Sequence, residues 1–217
     1  LRPANDPEGM GNRRSKAQNP IRAPLAWTIL VIGSVALWLL SGCGSDLIAA
    51  AIQAEKAGDY PAAVDLYRQE LALDPHDKDA VKGLAVDLFL LRQFDEALIY
   101  QESAVRLEPG DVQLKVELAF NYLNHQGEPQ KAVEVLREAT RVERTARLLT
   151  FLAQAQLAAG QPQEAEVSLR SATAEDPSYA WAYALLVKML GDQGRGAEAE
   201  AVRQTALAAG IVLQSAP

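Results

Sequence analysis

Beyond residue 43 the chain repeats one kind of hydrophobic pattern. Apolar residues return at i, i+3, i+4 and i+7, as in Val81, Leu84, Ala85 and Leu88, which places them on one stripe of an α-helix. No window alternates apolar and polar residues convincingly in the period of two that marks a strand. Prolines punctuate the stripes in two different places. Pro61, Pro129 and Pro162 stand where a second helix would begin, a position at which the missing N–H is no loss. Pro75, Pro109 and Pro177 follow helix ends. The pattern predicts an all-α fold of short paired helices. One stretch breaks it: Leu25 to Leu40, "LAWTILVIGSVALWLL", carries no charge over its 16 residues.

The pairs recur at a fixed spacing. "GDYPAAVDLYRQELALDP" (58–75), "RQFDEALIYQESAVRLEP" (92–109) and "GQPQEAEVSLRSATAEDP" (160–177) align, with closing prolines 34 and 68 residues apart. Gly58, Gly160 and Gly194 fall on the same grid, as do Ala63, Ala97, Ala165 and Ala199. Ala132 arrives one residue late, so the turn "NHQGEPQ" is expected to carry one extra residue, recovered before Pro177. A period of 34 with this pattern resembles the tetratricopeptide repeat, or TPR. The resemblance implies a right-handed α-solenoid of about five helix-turn-helix repeats, 44–77, 78–111, 112–145, 146–179 and 180–213. The family's small first-helix residue is matched by Ala51, Ala85, Ala119 and Ala153, with Val187 departing. Its apolar partner one residue earlier is matched by Ala50, Leu84, Leu118, Leu152 and Leu186. Tyr67 alone fills the second-helix aromatic position; Gln101, Leu136, Leu169 and Arg203 depart from it. The closing proline is missing from the third repeat, at Arg144, and the fifth, at Ile211. One helix pair cannot bury its stripe alone, so neighbours must stack.

The N-terminal 42 residues follow a different order: basic, apolar, then small. Arg13, Arg14, Lys16 and Arg22 lie in a polar n-region (1–24), the apolar h-region is 25–40, and Ser41 and Gly42 follow. That is the layout of an export signal, and the apolar run is short of the ~20 residues a spanning helix needs. Leu40-Ser41-Gly42-Cys43 resembles the lipobox of bacterial lipoproteins. The resemblance implies cleavage before Cys43 and acylation of that residue with palmitate-type chains, leaving 43–217 as the repeat domain. A second reading keeps the segment uncleaved as a signal anchor, since with its flanks it is nearly long enough to span. The chain opens at Leu1, whereas Met10 begins a more ordinary signal, "MGNRRSKAQNP". The expected location is the bacterial envelope, facing the periplasm. Gly44 stands where an aspartate would favour inner-membrane retention, which points to the outer membrane.

Charge narrows the partners. Residues 1–42 hold five of the 21 basic and two of the 28 acidic residues, so the remainder carries 16 against 26, a net charge of −10. An acidic domain is a poor match for nucleic acid, whose phosphates demand a basic surface. Catalytic and metal-binding patterns are absent from the sequence. His76 and His125, the two histidines, lie in inter-helix segments without a partner at ligand spacing and read as solvated turn residues. "GDQGRG" (191–196) follows a helix rather than a strand and reads as a turn, not a phosphate loop. The expectation is no enzyme, no cofactor and no metal.

What remains is a binding surface. In TPR arrays the concave groove is lined by first-helix positions 2, 5, 9, 12 and 13, which fall here on Asp79, Lys82, Val86, Phe89 and Leu90, then Gln113, Val116, Phe120, Leu123 and Asn124, then Arg147, Thr150, Gln154, Leu157 and Ala158. Val86, Phe89, Leu90, Val116, Phe120 and Leu123 are apolar beyond what the core stripe requires, which points to a groove for an apolar peptide or partner helix. The competing reading is packing against the next repeat or the N-terminal segment. Lys82, Asn124 and Arg147 are too few, among hydrophobes, for the family's carboxylate clamp. Trp181 at position 2 of the last repeat is a further candidate contact. The resemblance implies an envelope scaffold that binds a protein or peptide. TPR lipoproteins act as pilotins in pilus or secretion assembly, or as adaptors of envelope hydrolases and peptidases, and both roles stay open at this point.

Overall fold

The computed structural model describes residues 46–213; residues 1–45, with the n-region, the h-region and Cys43, and residues 214–217 lie outside the described residues. Among the described residues there are helices and no strand. The first, α1, covers 46–56. It is followed by α2 (Tyr60–Leu73), α3 (Lys78–Leu90), α4 (Phe94–Leu107), α5 (Val112–Asn121), a π-helical turn (Tyr122–Gln126), α6 (Pro129–Val142), α7 (Ala146–Ala158), α8 (Pro162–Glu175), α9 (Ala180–Asp192) and α10 (Gly196–Ala208). From α2 on, each helix packs on the next, and α7 also touches α9, the equivalent helix of the following pair; Ala51 of α1 joins the core cluster of Ala63 and Tyr67 on α2. The result is the expected all-α solenoid of five helix pairs.

The helix ends are written into the sequence. Asp59, Asp77, Asp111 and Thr145 cap α2, α3, α5 and α7, each accepting a hydrogen bond from a first-turn N–H that would otherwise lack a partner. The first helix of each pair stops at a residue in the left-handed region: Gly58, Arg92, Gly127, Gly160 and Gly194. Backbone bonds such as Gln93 N to Leu88 O at 2.8 Å and Arg195 N to Leu190 O at 2.9 Å close the turn as a Schellman motif. Arg92, with φ 63°, is the one residue in this set carrying a Cβ against that conformation.

The register slip in the third repeat resolves differently from expectation. The extra residue is not in the turn, which is Gly127 and Glu128 alone, but is absorbed by the π-helical turn that ends α5. The register is restored at the next connection. Residues 143–145 join α6 to α7, where 74–77, 108–111 and 176–179 join the other pairs, so one residue is lost at the connection that also lacks its closing proline.

The repeat positions make the core. Ala51, Ala63, Leu84, Leu88, Ala97, Ala132, Ala153, Ala165 and Leu169 are fully buried, and Val187 substitutes for the small residue at 7% exposure. The small side chains let helix backbones approach; each fully buried leucine contributes about 1.5–3 kcal/mol of burial. Ala50 differs: it is exposed rather than packed, because the face of α1 it occupies has no neighbour among the described residues. Gly83 on α3 faces the Tyr67 ring, where a Cβ would lie 2.5 Å from Cε2 and 2.6 Å from Oη.

Candidate functional site

The first helices of successive pairs put one apolar strip on one face of the stack. Two cavities open along it. The larger, about 450 Å3, lies between α5, α7 and α9; Val116, Phe120, Leu123, Phe151 and Trp181 form its apolar walls, and Asn124 and Gln154 are its polar members. The smaller, about 250 Å3, lies between α3, α4 and α5 and is walled by Val86, Phe89, Leu90, Val116 and Phe120, with Gln101 and Glu117. Val116 and Phe120 belong to both, so the strip is continuous from α3 to α9.

The strip divides by burial. Val86 is 44% exposed, Leu90 and Phe120 are each 52% exposed, and Trp181 is 39% exposed. Phe89, Val116 and Leu123 are half-buried, so they hold the repeats together and line the face at once. The structure brings ten of the expected groove residues, Val86, Phe89, Leu90, Val116, Phe120, Leu123, Asn124, Gln154, Ala158 and Trp181, onto the two cavities. Lys82 is not with them. Its ammonium reaches Glu108 at 2.8 Å and Asp79 at 3.6 Å, and the Glu108 hydrogen bond holds the lysine pKa up and the glutamate pKa down. Lys82 therefore ties α3 to the end of α4. Cys43 lies outside the described residues.

Aromatic contacts order the strip. Phe89 meets Phe94 edge-on at 5.2 Å and Phe120 at 6.3 Å. His125, expected as a plain solvated residue, is exposed but stacks on Phe94, ring centroids 3.6 Å apart and planes 10° apart, because the π-helical turn carries it onto that ring. At the other end Trp181 meets Phe151 edge-on at 5.6 Å, and the Arg147 guanidinium lies 5.7 Å from the Phe151 centroid. His76 is an exposed turn residue, and Gly194 in "GDQGRG" is the left-handed turn residue between α9 and α10.

Sequence reasoning missed the polar residues under the strip. Gln101 and Asn121 are buried and bonded to each other, Asn121 Nδ2 donating to Gln101 Oε1 at 2.7 Å. The signal was present: Gln101 is a departure from the family's aromatic position. Away from the strip, Tyr67 donates to Glu55 at 2.7 Å, and burial with that hydrogen bond pushes its phenol pKa up. Asp87, 1% exposed, has a carboxylate oxygen without a partner; burial first and the Glu55 charge second push its pKa up to about 6.

A stack of helix pairs with a continuous apolar strip on one face is the architecture of an interaction scaffold. Family models for the tetratricopeptide repeat match residues 48–112 and 120–180, and another matches 156–210. The chain belongs to the tetratricopeptide-repeat family, whose members are typically non-enzymatic scaffolds for protein or peptide binding. Among solved structures it resembles the MamA protein, at 17% identity over 82% of this chain and all of that one, with a TM-score of 0.70. MamA from Desulfovibrio magneticus RS-1, residues 41 to the end, is 14% identical over 77% of this chain and 95% of that one, with a TM-score of 0.67. YrrB, described as a TPR protein with an unusual peptide-binding site, is 18% identical over 75% and 84%, with a TM-score of 0.64. At these identities the likeness is one of fold. No curated protein matches the sequence.

Proposed function

We propose that this chain is a lipid-anchored scaffold of the bacterial envelope whose α3–α9 strip binds an apolar segment of an envelope protein. The observation that carries the binding is the continuity of the strip: half-exposed Leu90, Phe120 and Trp181 belong to two cavities that share Val116 and Phe120. Exposed apolar residues so arranged serve partner contact, and a half-exposed tryptophan beside an arginine-capped phenylalanine has the composition of an interface hot spot. The anchor rests on the sequence, where "LSGC" ends a charge-free run behind a basic segment. Several acyl chains at Cys43, at roughly 0.8 kcal/mol per buried CH2, hold a domain firmly at a bilayer. A net charge of −10 on 43–217 would keep the domain itself off anionic headgroups. The scaffold then presents its strip at the periplasmic side of the outer membrane and helps assemble a pilus, secretion or other envelope complex.

The test is co-purification from detergent-solubilised envelopes. Leu90→Glu with Trp181→Glu should remove the partner that wild type retains, with the helical far-UV spectrum unchanged. Retention of the same partner by that variant overturns the assignment. A secretin or pilus protein among the retained chains supports assembly; a peptidase or cell-wall hydrolase points to an adaptor instead.

A further inference from the structure

We propose that the smaller cavity, between α3, α4 and α5, is an anchor pocket for a tyrosine side chain of the bound segment. The inference rests on the strip being the binding face. A volume of about 250 Å3 is below the ~300–1,000 Å3 of pockets that take whole small-molecule ligands, and so suits one inserted side chain. Its walls are aromatic and aliphatic, with Phe89 and Phe120 tilted 60° to each other. Offset and edge-on contacts of this kind favour a third ring over an aliphatic chain.

The polar atoms make the choice among rings. Gln101 is 7% exposed and stands where Tyr67 stands one repeat earlier, so a carboxamide replaces a phenol ring and leaves space. Its orientation follows from its neighbour. Asn121 Nδ2 lies 3.2 Å from the Phe94 carbonyl oxygen, which can only accept, so the nitrogen of Asn121 must face it. The same nitrogen donates to Gln101 at 2.7 Å, so the Gln101 atom there is its oxygen. The Gln101 amide nitrogen is left without a partner among the described residues, on a side chain that lines the cavity. Asn121 is fully buried and its Oδ1 has no partner, so this orientation is held at a cost in stability.

Glu117 is the one carboxylate of the lining, and Gln113 Nε2 donates to one of its oxygens at 2.9 Å, leaving the other open. With both side chains in its lining, the cavity has a donor side chain in Gln101 and an acceptor side chain in Glu117 beside its aromatic walls. A phenol O–H matches both, accepting from Gln101 and donating to Glu117. Phenylalanine leaves both groups unpaired, indole can satisfy only Glu117, and an acidic side chain is repelled by it.

The test uses the full chain and two probes, N-acetyl-tyrosinamide and N-acetyl-phenylalaninamide, followed by NMR shifts of the Gln101 side-chain amide and the Phe120 ring. The tyrosine probe should bind about tenfold more tightly, the worth of one net hydrogen bond, and Gln101→Leu should abolish that preference. Equal affinities, or a preference that survives Gln101→Leu, overturn the proposal. Should Gln101→Leu fail to fold, Glu117→Gln and an O-methyltyrosinamide probe carry the test: the methylated probe must fall toward the phenylalanine level, and binding equal to tyrosinamide overturns the proposal. A null result with both probes, while crosslinking from Phe120 still traps a partner, sinks the tyrosine pocket and leaves the strip standing. Loss of both results sinks the two together.

Discussion

Gly83→Ala should destabilise this protein, and should do the opposite once Tyr67 is shortened. In an ordinary helix interior, glycine to alanine gains about 1 kcal/mol. Here the added methyl would sit 2.5 Å from Tyr67 Cε2 and 2.6 Å from Tyr67 Oη, well inside the roughly 3.5–4.0 Å at which carbon atoms rest. The ring has little room to yield, since Tyr67 is 3% exposed and its hydroxyl is bonded to Glu55 at 2.7 Å. Overpacking of this kind costs roughly 1–3 kcal/mol, so against the propensity gain of about 1 kcal/mol the net change is a loss of up to about 2 kcal/mol. Tyr67→Leu removes Cε2 and Oη, and with them the clash. In that background Gly83→Ala should recover the helix-propensity gain, about 1 kcal/mol. Urea unfolding of the four proteins in the cycle, followed by circular dichroism at 222 nm, reads the difference directly. A stabilising Gly83→Ala in the Tyr67 background, or the same loss in both backgrounds, would refute the packing argument.

Asp87→Asn should raise stability at pH 7.5 by about 1–3 kcal/mol, because burial holds the folded pKa near 6 against roughly 3.9 in an unfolded chain. The folded state then binds more protons between those values, so wild-type stability should fall as pH rises from about 4 to 6, and the advantage of the Asn variant should vanish by pH 4; a pH-independent difference in melting temperature counts against this. Phe120→Ser should shift stability by no more than about 0.5–1 kcal/mol, whereas Phe89→Ala should cost distinctly more, about 2 kcal/mol, because Phe89 is half-buried between repeats; equal melting temperatures for the two variants would contradict the division of the strip. Cys43→Ser should leave the precursor unprocessed and without label in cells fed a radiolabelled or alkyne-tagged palmitate; a labelled variant of mature size would end the lipoprotein proposal.

The period of 34 made the architecture legible, since Ala63, Ala97, Ala165 and Ala199 recur where helices must approach closely, and all four are buried. The apolar residues of the strip were legible for the same reason: once the core stripe of α3 is met by Val81, Leu84, Ala85 and Leu88, the surplus at Val86, Phe89 and Leu90 has to face elsewhere. What the pattern could not supply was the fate of irregular residues. A one-residue insertion can be taken up by a loop or by a helix, and nothing local in "NHQGEPQ" states that α5 would widen into a π-helical turn and carry His125 onto Phe94. Nor could spacing show that Lys82 bends away to Glu108, because that depends on a carboxylate 26 residues further on. Gln101 was visible only as a departure. Its meaning emerges when Asn121, 20 residues later, is seen to fix which end of the amide faces the cavity.

Site-specific photocrosslinking in cells tests the central claim most directly. A benzophenone amino acid at Phe120 or Trp181, both on the strip, should give one and the same discrete adduct. The same group at Ile99 or Val167, which are 61% and 66% exposed but belong to neither cavity, should give none. An adduct from Ile99 or Val167 with none from Phe120 and Trp181 would contradict the assignment of the α3–α9 strip as the binding face.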